Sequence, residues 1–227
     1  MRPERIFVAE HAVDNDVYSR RLPADEIRSL RERLAPAGGK IVLSVARFAA
    51  EKGLVYLIHA MSHLTEAATL VIVGSGPLRV EIEELARHRG VHLVVLDAIR
   101  PVDMAAYYAA SDVFVLPSVS TRMVKEPWGL AVNEAMCQAT PVVVTTAVGA
   151  AAGGLVHDGE TGVVVRERDG RALLRALEAL LTNPSFAAQL GERGRKRVLA
   201  TTLDGMDAAF TAAVEAAIQA RKVPSPH

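Results

Sequence analysis

Six short, nearly all-apolar runs punctuate the chain, at residues 41–45, 70–73, 91–96, 113–116, 142–145 and 163–165. They are rich in β-branched residues and none alternates apolar with polar. Each therefore predicts a strand buried on both faces, the condition of a parallel sheet. Between them lie amphipathic helical patterns. Leu54, Leu57, Ile58, Met61 and Leu64 recur at helical spacing, as do Leu173, Leu174, Leu177, Leu180 and Leu181. Asn183-Pro184 ends one helix and supplies the cap and first-turn residue of the next. The alternation predicts an α/β fold with a doubly wound, Rossmann-like parallel sheet.

The ends break this rhythm. Residues 1–22 hold one short apolar run, 6–9, followed by the polar stretch HAVDNDVYSRR, and read as a linker segment. Residues 23–202 carry the strand–helix pattern. Residues 203–220 form an Ala-rich helix after the sheet is complete, and 221–227 are expected to be a disordered tail.

Composition narrows the function. Half the 227 residues are apolar, enough for a sizeable core. Lys+Arg and Asp+Glu balance at 26 each, which disfavours a general nucleic-acid binder but leaves room for a local cationic site. A single cysteine, Cys137, permits no internal disulfide and no multi-cysteine metal site, and reads as a small buried hydrophobe. No run approaches the ~18 apolar residues of a spanning helix, nor is there the apolar core of a signal peptide. The expected place is the cytoplasm, or the membrane periphery through a partner.

Open parallel sheets bind ligands beyond the carboxyl ends of their strands, so the strand-to-helix junctions carry the candidate chemistry. After the first strand, ARFAAEKG sets Arg47 and Lys52 on one loop before a helix. They can clamp a pyrophosphate, Arg47 with forked hydrogen bonds and Lys52 as a point charge, or be surface cations near Glu51. After the second strand, the glycines of GSGPL, Gly76 among them, suit either a phosphate loop or a tight turn. After the third, backbone groups at Ile99 and the guanidinium of Arg100 can hold a base, or Arg100 is simply an exposed loop cation.

The fourth junction reads EPWGLAVNEAM, residues 126–136. A helix over 130–138 is predicted, with Gly129 near its start, where free N–H groups suit a diphosphate. Glu126 precedes that helix. Glu134 sits inside it, one turn after Leu130, and a carboxylate there can accept two hydrogen bonds from a vicinal diol such as a ribose. A solvated helix glutamate is the plainer alternative. The apolar surroundings of Glu134 disfavour it, because a partly buried carboxylate needs partners.

Taken in order, SVARFAAEKGLVYLIHAM, LVIVGSGPLRVEIEELA, AASDVFVLPS, EPWGLAVNEAM, PVVV and VHDGETGVVV resemble the group 1 family of retaining glycosyltransferases with the GT-B fold. The resemblance covers roughly residues 4–200, and its specificity lies in the ordered set. It implies a single C-terminal half of a GT-B fold, the donor-binding domain. The implied reaction moves a hexose-type sugar from a UDP-, GDP- or ADP-linked donor to an unknown acceptor, with retention and without a metal or other cofactor. The resemblance implies that Arg47 and Lys52 bind the diphosphate and stabilise the departing nucleotide. It gives Glu134 the ribose hydroxyls and sets Glu126 against the donor sugar near its anomeric centre. Trp128 and the backbone at Gly129, Leu130 and Ala131 would face phosphate and sugar, with Gly76, Ile99 and Arg100 completing the donor site. Catalytic roles fall to Glu126, Arg47 and Lys52.

Four positions depart from the family pattern: Ala46, Asp97 and Ala139 stand where glycine is usual, and Gly154 where glutamate is common. The last bears on the sugar side of the donor. His11 also replaces a usual asparagine. The resemblance further implies that the chain starts at the hinge, with the N-terminal acceptor domain absent or supplied by a separate partner chain, and that it is inactive alone. The helix at 203–220 would then pack toward that domain, its apolar face exposed here. The alternatives are a non-catalytic nucleotide-sugar-binding or scaffold subunit, and a nucleotide-sugar epimerase of the same fold. The Glu-Ala-Met context and the Arg/Lys loop disfavour the epimerase.

Overall fold

The six apolar runs pair into one sheet. A computed structural model describes residues 6–222, with the side chains of 6–219. The strands are β1 (Lys40–Val45), β2 (Ala68–Val73), β3 (Leu93–Leu96), β4 (Val113–Leu116), β5 (Val142–Thr145) and β6 (Val163–Val165). All neighbours are parallel, in the order β3-β2-β1-β4-β5-β6. The winding reverses between β1 and β4, and such a switch point opens a crevice at the strands' carboxyl ends. β3 starts two residues later than its apolar run predicts. The Val91 N–H bonds the Ala86 carbonyl at 2.9 Å, closing the preceding helix, so it is not free for the ladder.

Helices cover the sheet in two neighbouring sets. α3 (Leu54–Met61) packs between α4 (Arg79–His88) and α8 (Gly170–Thr182). The other set runs α2 (Ala24–Leu34), α5 (Pro101–Ala109), α6 (Leu130–Cys137), α9 (Pro184–Leu199). The strand side chains Ile41, Leu43, Leu70, Ile72 and Phe114 and the helix side chains Leu57, Ile58 and Met136 are fully buried between these layers. Local chemistry sets the boundaries. The Asn183 side chain accepts the Phe186 N–H at 3.0 Å, capping α9 as the Asn-Pro step predicts. Ala139, just past α6, holds a left-handed φ of 57°. That conformation costs a non-glycine residue about 1 kcal/mol, which explains the glycine usual at this point.

The segment read as a linker is fastened to the domain. Asp14 caps the single turn α1 (Asn15–Tyr18), which lies against α5 and α6. Gln138 at the end of α6 donates to the carbonyls of Tyr18 and Arg20. At the other end, α10 (Leu203–Lys222) follows the sheet. It exposes Leu203, Phe210, Val214 and Ile218, one stripe at helical spacing. No helix among the described residues is long and apolar enough to cross a membrane. The outer parts of the expected linker and tail, 1–5 and 223–227, lie outside the described residues.

Cys137 is fully buried on α6, and burial pushes its thiol up to about 12. The folded protein is therefore expected to react slowly with a thiol reagent near neutral pH, and rapidly in concentrated urea. Equal rates in both would show that α6 opens freely in the native state.

Candidate functional site

The carboxyl ends of β1, β2 and β3 open onto a cleft of about 650 Å³. Val45 at the end of β1 lines it, with Ala46, Arg47 and Lys52 from the loop that follows, Gly74 and Ser75 from the loop after β2, and Ala98 and Ile99 from the loop after β3. Glu134 enters from α6 and Tyr18 from α1. Arg47 and Lys52, Ile99 and Glu134, from three separate stretches of the chain, thus line one cleft.

The β1 and β2 loops are built on each other. Phe48 N–H donates to the Ser75 carbonyl at 2.9 Å, and Leu78 N–H to the Phe48 carbonyl at 3.1 Å. A Cβ at Gly76 would overlap the Phe48 backbone. Gly76 thus serves close contact between loops, and Gly74 and Ser75 present the surface to the cleft. Gly53, in the left-handed conformation at φ 61°, fits under the Pro117 carbonyl and turns the chain from Lys52 into α3.

Each cation of the β1 loop has a carboxylate partner. Arg47, 66 % exposed, pairs with Glu51 at 2.7 Å, and this contact holds the Glu51 carboxyl below its ordinary range. Lys52 pairs with Glu126, and Ser118 Oγ donates to the same Glu126 oxygen at 3.1 Å. The Lys52 and Glu126 side chains are only 21 % and 10 % exposed, so this pair is largely desolvated. Glu126 stands beside the cleft, joined to it through Lys52. The loop bearing it is tied down from the loop after β6: Ser120 N–H and Oγ donate to Glu167 at 2.6 and 2.8 Å.

Glu134 is mostly buried. Burial raises its carboxyl pKa, opposed by the hydroxyls of Tyr108 and Tyr18. The Tyr108 hydroxyl donates to Glu134 Oε2 at 2.6 Å. The apolar run around Glu134 signals that it needs partners, yet no local spacing says that two tyrosines from α5 and α1 supply them.

The remaining candidates lie elsewhere. Arg100 is exposed and paired with Asp103 at 2.6 Å, leaving Ala98 and Ile99 as that loop's contribution to the cleft. Trp128 is buried, its Nε1 donating to Asn133 Oδ1 at 2.8 Å and its ring packed on His11 with centroids 5.2 Å apart. Asn133 Nδ2 in turn donates to the His11 carbonyl at 2.8 Å. Trp128 thus anchors the N-terminal segment to α6. Gly129, at φ 91°, begins α6, followed by the half-exposed Leu130 and by Ala131. Gly154, where the family pattern has glutamate, adopts φ 81°, a turn that favours glycine.

Comparison with known proteins agrees with this architecture. The family model described as glycosyl transferases group 1 matches residues 26–197. A D-inositol 3-phosphate glycosyltransferase of Xylanimonas cellulosilytica is 34 % identical over 96 % of this chain and 52 % of its own length. Among solved structures, the sucrose-phosphate synthase of Thermosynechococcus elongatus superposes with a TM-score of 0.77 at 29 % identity, over 92 % of this chain and 52 % of that one. Anabaena HepE, solved with UDP and glucose, shares the fold with a TM-score of 0.80 at 19 % identity, over 92 % and 56 %. The chain spans about half the length of the curated relatives it matches. Its sheet corresponds to a single half of the GT-B glycosyltransferases.

Proposed function

This chain belongs to the glycosyl transferases group 1 family, and from that premise we propose that it is the nucleotide-sugar-binding half of a retaining, two-domain glycosyltransferase. The convergence of Arg47, Lys52, Ile99 and Glu134 on one cleft at the switch point carries this reading. A nucleoside diphosphate fits the chemistry of that cleft part by part. Backbone groups at Ile99 meet the base, and the Glu134 carboxylate accepts the ribose hydroxyls. Arg47 and Lys52 take the diphosphate.

Arriving phosphate oxygens compete with Glu51 for Arg47 and with Glu126 for Lys52. Lys52 released to the diphosphate frees Glu126 for the sugar, so donor binding itself turns a carboxylate toward the reacting carbon. As the sugar–phosphate bond breaks, Lys52, Arg47 and the N–H groups opening α6 at Gly129, Leu130 and Ala131 stabilise the negative charge on the nucleotide. The acceptor belongs to a second domain or partner chain, which the apolar stripe of Leu203, Phe210, Val214 and Ile218 on α10 suits.

Calorimetry with UDP, GDP and ADP tests the reading. One of them is expected to bind, and Glu134→Ala to weaken it about tenfold or more, the worth of hydrogen bonds to a charged group. If the folded protein binds none of the three, the reading fails.

A further inference from the structure

Two buried phenols converge on Glu134, and the donor-site reading above gives neither of them a task. We propose that Tyr108 is a positioning residue of the nucleotide site: its hydroxyl fixes Oε2 of Glu134 so that the carboxylate presents its remaining acceptor sites to a 2′,3′-diol. The inference rests on the donor-site reading.

Tyr108 is itself immobile. It is fully buried on α5, its ring meets Phe114 edge-on with centroids 5.7 Å apart, and its carbonyl accepts from Thr140 Oγ1 at 2.8 Å. A phenol has one hydrogen to give, and here it goes to Glu134 Oε2 at 2.6 Å. Burial pushes the Tyr108 phenol well above its ordinary range, so it stays a donor at any working pH. The Glu134 side chain has three rotatable bonds and an apolar helix around it. Without a fixed donor it samples several rotamers, and ligand binding must then bear the cost of ordering it. The Tyr18 phenol, also pushed up by burial to about 12, interacts with the same carboxylate and lines the cleft. The ribose corner therefore draws on α1, α5 and α6, and one of its walls belongs to the segment that precedes the sheet.

Two readouts separate positioning from mere packing. The first is discrimination between the nucleoside diphosphate that wild type binds best and its 2′-deoxy counterpart. In Tyr108→Phe the preference for the ribose form is expected to fall about three- to tenfold, because a disordered carboxylate exploits the extra hydroxyl poorly. The second is pH. The diol needs the ionised carboxylate, so affinity falls as pH drops through the Glu134 pKa. Tyr108→Phe removes a contact that lowers this pKa, so the midpoint of the fall moves to higher pH. A loss of packing alone weakens both nucleotides equally and leaves the ratio and the midpoint unchanged; that result overturns the proposal.

Should the phenylalanine variant fail to fold, 3-fluorotyrosine at position 108 keeps the shape and strengthens the donor. The midpoint is then expected to move to lower pH, and an unmoved midpoint overturns the proposal. Absence of nucleoside diphosphate binding by folded wild type sinks the donor-site reading and this inference with it. Normal wild-type binding with an unmoved ratio and midpoint in the variants sinks this inference alone.

Discussion

Lys52→Met is expected to weaken nucleoside diphosphate binding about a hundredfold and, in the absence of any ligand, to destabilise the fold by about 2 kcal/mol. The two effects have one source. Lys52 supplies the less exposed of the two cations lining the cleft and is the partner of Glu126, which is only 10 % exposed. Removing one member of a desolvated pair leaves the other uncompensated, with Ser118 Oγ as its remaining hydrogen-bond donor among the described side chains. Fully buried pairs lose about 3–5 kcal/mol in this way, and the partial exposure of Lys52 and Glu126 scales the loss down.

The double variant Lys52→Met/Glu126→Gln removes the stranded charge. It is expected to recover most of the stability and none of the affinity. Urea denaturation of the three proteins, with calorimetry on the same samples, separates the effects. A double variant as unstable as the single one would show that the pair is not what holds Glu126. Wild-type affinity in Lys52→Met would remove Lys52 from the diphosphate site.

Gly149→Ala is the substitution with the largest expected cost to the fold alone, about 3 kcal/mol. Gly149 opens the short helix α7 (Gly149–Ala152). A Cβ there would overlap the Pro127 carbonyl and crowd Trp128 Cα. These are backbone atoms, so no rotamer change relieves the clash. The two segments are laced together by Gly149 N–H to the Glu126 carbonyl at 3.1 Å and Ala150 N–H to the Trp128 carbonyl at 2.9 Å. Forcing them apart moves Glu126 and the buried Trp128 with its His11 and Asn133 contacts. Gly159→Ala is the control. That residue is left-handed at φ 72° with nothing near its missing Cβ, so only backbone strain of about 1 kcal/mol applies. Equal losses in urea denaturation for the two variants would refute the steric argument.

The fold was largely legible because its signals are local. A run such as VVVT or IVLSV can be satisfied only between two apolar layers, and parallel strands joined by helices follow from that requirement. The site was legible in part for a related reason. In an open parallel sheet, residues just beyond a strand's end are delivered to one edge, so Arg47, Lys52 and Ile99 could be nominated without a structure. The direction of a side chain is another matter. Trp128 sits in the most informative motif of the chain, yet it turns inward to Asn133 and His11 because the pocket between α6 and the N-terminal segment takes an indole. Arg100, proposed for a base, instead closes on Asp103, its neighbour on the first turn of α5.

By itself, then, the sequence determined the α/β class, the six strands, the family resemblance and the loops that border the cleft. These depend on hydrophobic periodicity and turn chemistry within a few residues. Only the tertiary structure decided which groups face one another: Tyr108 against Glu134, Lys52 against Glu126, Tyr18 on the cleft wall. Such partners lie on different elements, Tyr108 and Glu134 being 26 positions apart in the chain and Lys52 and Glu126 being 74 apart. Their meeting depends on how helices pack across the sheet, a quantity that no local pattern of residues encodes.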